Sequence, residues 1–265
     1  MKPYIDTHCH IDSILEKDGI SWLELQAKMA SLGEPPEAII NVACEEKDWN
    51  FGKNFIEENE NVYGVFGVHP LYADQYNDEA EARLRIFLVH PKALAIGEIG
   101  LDNHYADTAP SPSVQQATLR RQLALAQEFN KRIVFHLREA AGDAFEILKE
   151  FDNPKVRAHI HCYTDTPEFV EQVLTLKGQY FFGFTGAITY NKTETVREAA
   201  KIVPANRLLL ETDAPYLTPV PWRGKMSSHS GMIPTIAATI ANVRGESLDI
   251  LMAQCRQNTK DLYGV

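Results

Sequence analysis

The chain has 265 residues, 45% of them apolar and 23% charged, with a formal net charge of −10. This is a globular composition with room for a large core, and ~250 residues suits a one-domain α/β barrel. The acidic balance excludes a broad basic groove for duplex nucleic acid, so any phosphodiester substrate should bind locally, where bound cations supply positive charge.

Short apolar runs alternate with longer amphipathic ones. A strand is expected at 4–7, then a helix at 22–32 with Leu25, Met29 and Leu32 on one face. Strands follow at 38–42, 62–67 and 93–97. A helix at 114–129 repeats Leu119, Leu123, Leu125, Ala126 and Phe129. Strands at 133–135, 157–160, 180–184 and 208–210 are interleaved with helices at 169–176 and 195–202, with Pro167 and Pro204 as nearby breakers. Two helices close the chain, at 233–243 and 247–262, with Ser247 as N-cap and Ile250 at the third helical position. The strands are nearly all apolar, as parallel strands buried on both faces are. Eight β-then-α units predict a closed (β/α)8 barrel as one domain over residues 1–265. A doubly wound open sheet is the competitor, but no glycine-rich first turn supports it. Loops at 105–113 and 215–234 follow strand ends, where a barrel builds its active site.

Cys9, Cys44, Cys162 and Cys255 show no CxxC spacing, which suits reduced thiols and a cytoplasmic protein. Cys9 and Cys162 adjoin candidate ligands and are expected to be packing residues. The start, Met1 to Asp6, lacks a signal peptide's apolar stretch, and no window nears the ~18 apolar residues of a membrane span. No membrane association and no obligate protein partner are expected.

The chemistry-bearing residues fall at strand ends. His8 and His10, at i and i+2, can point one way towards one cation, although HxH alone equally fits packing histidines. Glu98 closes an apolar strand between Gly97 and Gly100; buried there it needs a cation or an ion-pair partner. His136 ends another strand. His159 and His161 share parity, so geometry leaves the choice between them open. Asp213 follows the last strand. In a parallel barrel these ends share one rim, which makes the constellation more specific than its parts. Imidazole and carboxylate without thiolate favour Zn²⁺, Mn²⁺, Fe²⁺ or Co²⁺ over Ca²⁺, with Mg²⁺ allowed at a carboxylate-rich second site. Two such ions lower the pKa of water from 15.7 towards ~7 and can stabilise attacking and leaving oxygens. Glu98 is the candidate bridge, and Asp213 the group that orients or deprotonates water.

The sequence resembles the TatD family of metal-dependent deoxyribonucleases, within the amidohydrolase-like barrels. The resemblance rests on DTHCHID (6–12), FGVHP (66–70), AIGEIGLD (95–102), the segment at 115–140, HIHCYTD (159–165), GFTGAITY (183–190) and LLLETDAPYLTP (208–219). It implies a (β/α)8 barrel that hydrolyses phosphodiester bonds in DNA, often from the 3′ end. Its metal ligands fall on His8, His10, Glu98, His136, His161 and Asp213, which favours His161 over His159. His69 matches a phosphate or leaving-group contact, with a structural histidine before proline as the alternative. Arg138 is a further candidate phosphate contact, against a surface salt bridge, and Tyr163 and Arg223 complete the substrate-binding set.

Three stretches depart from the family pattern. Asn103-His104-Tyr105 stands where paired tyrosines are usual, Tyr163-Thr164-Asp165 follows His161-Cys162, and residues 226–234 replace most of a segment that begins Arg223-Gly224-Lys225. All three are expected on the substrate rim, in loops 103–113 and 226–234 among them. The expected function is therefore a deoxyribonuclease using two divalent ions, Zn²⁺ or Mn²⁺ with Mg²⁺ possible, acting as a 3′–5′ exonuclease or an endonuclease. Hydrolysis of a small amide, lactone or ester on the same fold is the competing activity, although amidohydrolases often use a carboxylated lysine where this chain has Glu98. A binding module with an inactive barrel ranks last, because no ligand is lost.

Overall fold

The computed structural model describes residues 3–105 and 107–265. In chain order the strands are β1 (Ile5–Cys9), β2 (Ala38–Ala43), β3 (Val62–Phe66), β4 (Ala93–Asp102), β5 (Arg132–Arg138), β6 (Arg157–Ile160), β7 (Gln179–Phe184) and β8 (Leu208–Leu210). Each pairs in parallel with the next. The ring closes between its ends: Cys9 bridges to Ala214, His10 N donates to Ala214 O at 2.8 Å, and Asp213 N donates to His8 O at 2.9 Å. The result is the expected (β/α)8 barrel.

The helices are α1 (Ile11–Asp18), α2 (Trp22–Ala30), α3 (Trp49–Glu58), α4 (Asp78–Leu88), α5 (Pro112–Glu128), α6 (Ala141–Phe151), α7 (Pro167–Leu174), α8 (Glu194–Ile202), α9 (Ile233–Arg244) and α10 (Leu248–Tyr263). Local chemistry explains several boundaries. Ser21 and Glu24 form a reciprocal capping box at α2, and Asn77 accepts from Glu79 N and Ala80 N at α4. Gly19, Gly245 and Gly264 end α1, α9 and α10 in the left-handed conformation that glycine adopts freely. Ser247 occupies the N-cap of α10, but its hydroxyl makes no capping bond, and Ile250 is exposed.

Packing falls into two layers. Ile40, Val42, Val65, Ala95, Val134, Phe181 and Leu209 form one cluster with Leu262 and Tyr263 from the end of α10. Their alternates on the same strands, such as Ile39, Ile96, Ile133, Phe135 and Phe182, pack against the helices in a larger cluster. The period-2 geometry of strands divides the two sets. Each buried apolar side chain contributes roughly 1.5–3 kcal/mol.

Two strands depart from regular pairing where the chemistry sits. Asp6 and Cys9 of β1 face Ile39 and Asn41, and Ile96 and Ile99 of β4 face Ile133 and Phe135. Each strand thus carries one extra residue, a bulge that re-aims side chains. Beyond its bulge β4 runs on to Asp102, so Glu98 lies within the strand instead of closing it. Gly100, at φ 157, allows this: a Cβ there would lie 1.7 Å from the His136 carbonyl oxygen.

Candidate metal centre

The bulges in β1 and β4 turn His8 and Glu98 towards the same point. His8 Nε2 and His10 Nε2 are 3.2 Å apart. Glu98 Oε2 lies 3.3 Å from the former and 3.8 Å from the latter. Asp213 follows β8 at φ 53 and brings Oδ1 to 3.4 Å from His10 Nε2 and 3.7 Å from His8 Nε2. The other oxygen of Glu98 has its own set: Oε1 is 2.7 Å from His136 Nδ1 and 2.6 Å from His161 Nε2. The six residues expected as ligands therefore converge, divided between the two oxygens of one buried carboxylate.

The donor set fits divalent cations. Val42 O, 3.1 Å from His10 Nδ1, accepts the proton of that nitrogen and leaves the lone pair of Nε2 facing the site. Asp102 Oδ2, 2.9 Å from His136 Nε2, does the same for His136 and frees Nδ1. Ring nitrogens then face each other at 3.2 Å (His8 and His10) and 3.3 Å (His136 and His161), an arrangement that a positive charge between them relieves. His8, His10 and Glu98 form one group whose ligand atoms all lie within 4.8 Å of one another, and His69, Glu98 and His136 form another.

Electrostatics hold Glu98 and His8 in the forms that ligate and place positive charge on two further histidines. Burial alone would raise the Glu98 carboxyl, but His161, His136 and His8 hold it well below its ordinary value. Burial and the neighbouring His161 push His8 down to about 4, so it is neutral at pH 7. Burial opposes charge on His10 and His136, yet Asp213 raises the first to about 9, and Asp102 with Glu98 raises the second to about 9, so each holds a second proton at pH 7 that an arriving cation must displace before the ring nitrogen can ligate.

Two acids that the sequence analysis does not assign, Asp102 and Glu211, support the candidate ligands. Asp102 is buried at the end of β4; its backbone N–H donates to Gln115 Oε1, and its Oδ1 accepts from His104 N. Outer partners of this kind typically contribute ~10–100-fold to metal affinity. Asp102→Asn is expected to weaken cation binding by that factor in a chelator competition, since an amide nitrogen cannot accept the His136 proton. Unchanged affinity would reduce Asp102 to a packing role. Glu211 lies below the centre, 3.8 Å from His161 Nδ1, and accepts from Cys162 N. His159, the alternative to His161, belongs to that lower layer: Nε2 is 2.9 Å from Glu211 Oε2, and Nδ1 is 3.0 Å from Tyr263 Oη. Asp102 shares the strand parity of Glu98, and Glu211 that of Asp213, which is the signal that could have found them.

The expected substrate contacts divide. His69 accepts from Leu71 N through Nδ1, so Nε2 carries its proton, 3.5 Å from Glu98 Oε1. It shapes the turn after β3 and also faces the site. Arg138 places its guanidinium 5.2 Å from the Tyr105 ring centre, and Arg223 sits 3.8 Å from that of Tyr190. Tyr163 is a correction: it is 3% exposed, packs against Phe169, Phe182 and Phe184, and donates its hydroxyl to Thr166 O, which withdraws it from substrate contact. The 226–234 segment is corrected in part. Ser228, His229 and Ser230 are buried, and Ser227 Oγ donates to Asp18, so from 228 onwards it is packing and not rim. In the 103–113 loop, His104 pairs with Glu139 at 2.6 Å; position 106 lies outside the described residues.

Comparison with known proteins agrees with this architecture. The family model described as TatD related DNase matches residues 5–264. The chain is 35% identical to human "3'-5' RNA nuclease TATDN2" over 99% of its own length, and spans 35% of the length of that protein. It is 32% identical to the Bacillus subtilis "Uncharacterized metal-dependent hydrolase YabD", covering 98% of each. The crystal structure of YJJV, a TatD homolog from Escherichia coli K12, superposes with a TM-score of 0.89 at 28% identity, covering 99% of this chain and 98% of that one. The family match spans nearly the whole barrel, and the chain belongs to the TatD-related DNase family of metal-dependent hydrolases.

Proposed function

We propose that this hydrolase cleaves phosphodiester bonds of single-stranded nucleic acid from the 3′ end, with DNA as the first substrate to test. Two divalent ions, Zn²⁺ or Mn²⁺ with Mg²⁺ as a further candidate, would be held by His8, His10 and Asp213 on one side and His136 and His161 on the other, with Glu98 between. The observation that carries this reading is the division of Glu98, whose Oε2 serves one histidine pair and Oε1 another. A bridging carboxylate has that form. The family description and the 3′–5′ RNA nuclease name of the human relative support the substrate class and direction. Four free cysteines suit the cytoplasm, and among the described residues no helix is long and apolar enough to cross a membrane.

When bound, the ions polarise phosphoryl oxygens and acidify water. Asp213 would take the proton of the attacking water on its carboxylate as the P–O3′ bond breaks, and the leaving 3′ oxygen would take a proton from solvent to become the strand's new 3′ hydroxyl. His69, driven down to about 3 by burial and by His136, is neutral at working pH and acts as a hydrogen-bond donor through Nε2, not as an acid. Arg138 lies at the end of β5 and, among the described residues, has no carboxylate oxygen within 4.0 Å, which leaves its charge for phosphate. Arg138→Ala should weaken binding of short single-stranded DNA and lower the salt slope of the binding constant by about 1. An unchanged slope would place no phosphate at Arg138.

The direct test is cleavage of single-stranded DNA by metal-stripped protein after separate return of Mg²⁺, Mn²⁺ or Zn²⁺. Glu98→Ala serves as the control for contaminating nuclease. Shortening from the 3′ end that needs both metal and Glu98 is the expected result. No cleavage by protein with tightly bound metal would overturn the nuclease reading and direct attention to esters, lactones and amides.

A further inference from the structure

Around the mouth of the barrel, tyrosines recur with cations over their rings. Tyr105, after β4, has Arg138 at 5.2 Å; Tyr190, after β7, has Arg223 at 3.8 Å; Tyr216, after β8, has Lys17 of α1 at 5.8 Å. All lie beyond the carboxyl ends of the strands, on the side of the metal ligands. Among the described residues Lys17, Arg138 and Arg223 have no carboxylate oxygen within 4.0 Å, so their charge is open to an anion. Aromatic faces flanked by uncompensated cations are what single-stranded nucleic acid uses: bases stack and phosphates find charge.

Tyr216 is nearest the chemistry. It lies three residues beyond Asp213, its N–H bonded to Asp213 O at 2.9 Å, and its ring is 6.2 Å from that of His10. It is 53% exposed, in a position where burying a ring that size against a partner is worth more than leaving it in water. We propose that Tyr216 is the platform on which the terminal base of a single-stranded substrate stacks while its phosphodiester lies at the metals, with Lys17 drawing the backbone to that ring. This assignment rests on the nuclease reading for the position of the phosphate. It adds a means by which the enzyme selects unpaired ends: a paired terminal base brings its complementary strand with it, which must be accommodated or peeled away before the base can stack on Tyr216.

The test is a coupling cycle on the holoenzyme. Its probe is a short single-stranded DNA with a phosphorothioate as the last linkage, with or without the 3′-terminal base. Tyr216→Ala should weaken binding of the intact strand about tenfold, and removal of the base should cost the wild type the same factor. Both changes together should cost little more than either alone, and Tyr216→Trp should restore tight binding. Additive losses, or a Tyr216→Ala variant that binds like the wild type, would overturn the platform. Tyr216→Leu keeps an apolar side chain and stands in if the alanine variant fails to fold. Coupling without cleavage of an ordinary phosphodiester strand would leave the platform in place and sink the nuclease reading. Cleavage without coupling would do the reverse.

Discussion

Replacing Glu98 with glutamine should empty the centre of tightly bound metal and lower turnover by about 10³-fold or more. Glutamine keeps the length and shape of the side chain, so the bulge in β4 has no reason to relax. What it loses is the negative charge that faces His8 and His10 with one oxygen and His136 and His161 with the other. In a site this buried the charge is poorly screened, and removing one partner of a buried charged group typically costs ~3–5 kcal/mol, of which 4 corresponds to about 10³-fold. A glutamine also offers one oxygen and one NH₂, so it can serve one histidine set only, and its NH₂ would face lone pairs or a cation on the other. Metal content after gel filtration and turnover under saturating cation should fall together. Normal content with normal turnover would remove Glu98 as the bridge.

The candidate ligand set is legible in the sequence because strand geometry and burial constrain it. His8 and His10 share a face at i and i+2, and a carboxylate among Ile96, Gly97 and Ile99 needs a compensating charge. The bulges were invisible. Gly97 and Gly100 read as the end of a strand, whereas β4 passes through them to Asp102, so the acid that orients His136 was read as loop. Tyr163 failed for a related reason. Cys162 adopts φ 45, which breaks the alternation that His161 would otherwise pass on, and the tyrosine turns into the apolar layer instead of the mouth. Helices α1, α3, α4 and α6 were not anticipated. In α1 only Ile11 and Ile14 are buried, whereas α4 carries a legible stripe of Ala80, Leu84, Phe87 and Leu88 at helical spacing. In α3 a glycine interrupts the stripe of Trp49, Phe55 and Ile56, because Gly52 packs closely against β2: a Cβ there would meet Ala43 at 3.1 Å. Burial of residues 228–230 likewise depends on tertiary contacts that spacing along the chain does not encode.

Asp213→Asn is expected to separate turnover from architecture. Asp213 sits at φ 53, in the left-handed region where asparagine is among the few side chains at ease, so the backbone after β8 should be undisturbed. The closure of the barrel there runs through main-chain atoms, Asp213 N to His8 O and His10 N to Ala214 O, which the substitution leaves in place. The carboxylate itself is the part removed, and with it the group proposed to accept the proton of the attacking water. An amide oxygen can still approach His8 and His10, but it is a far weaker base. Loss of a positioned general base typically costs ~10²–10⁴-fold, and the deficit should persist when cation is raised to saturation. Metal content distinguishes the variant from Glu98→Gln, whose centre is expected to lose its cation along with its turnover. Equal thermal unfolding, metal retained at saturating cation and collapsed turnover are the expected combination. Unchanged turnover would show that water is activated without Asp213, leaving that residue as a ligand alone and shifting proton acceptance to a group nearer Glu98.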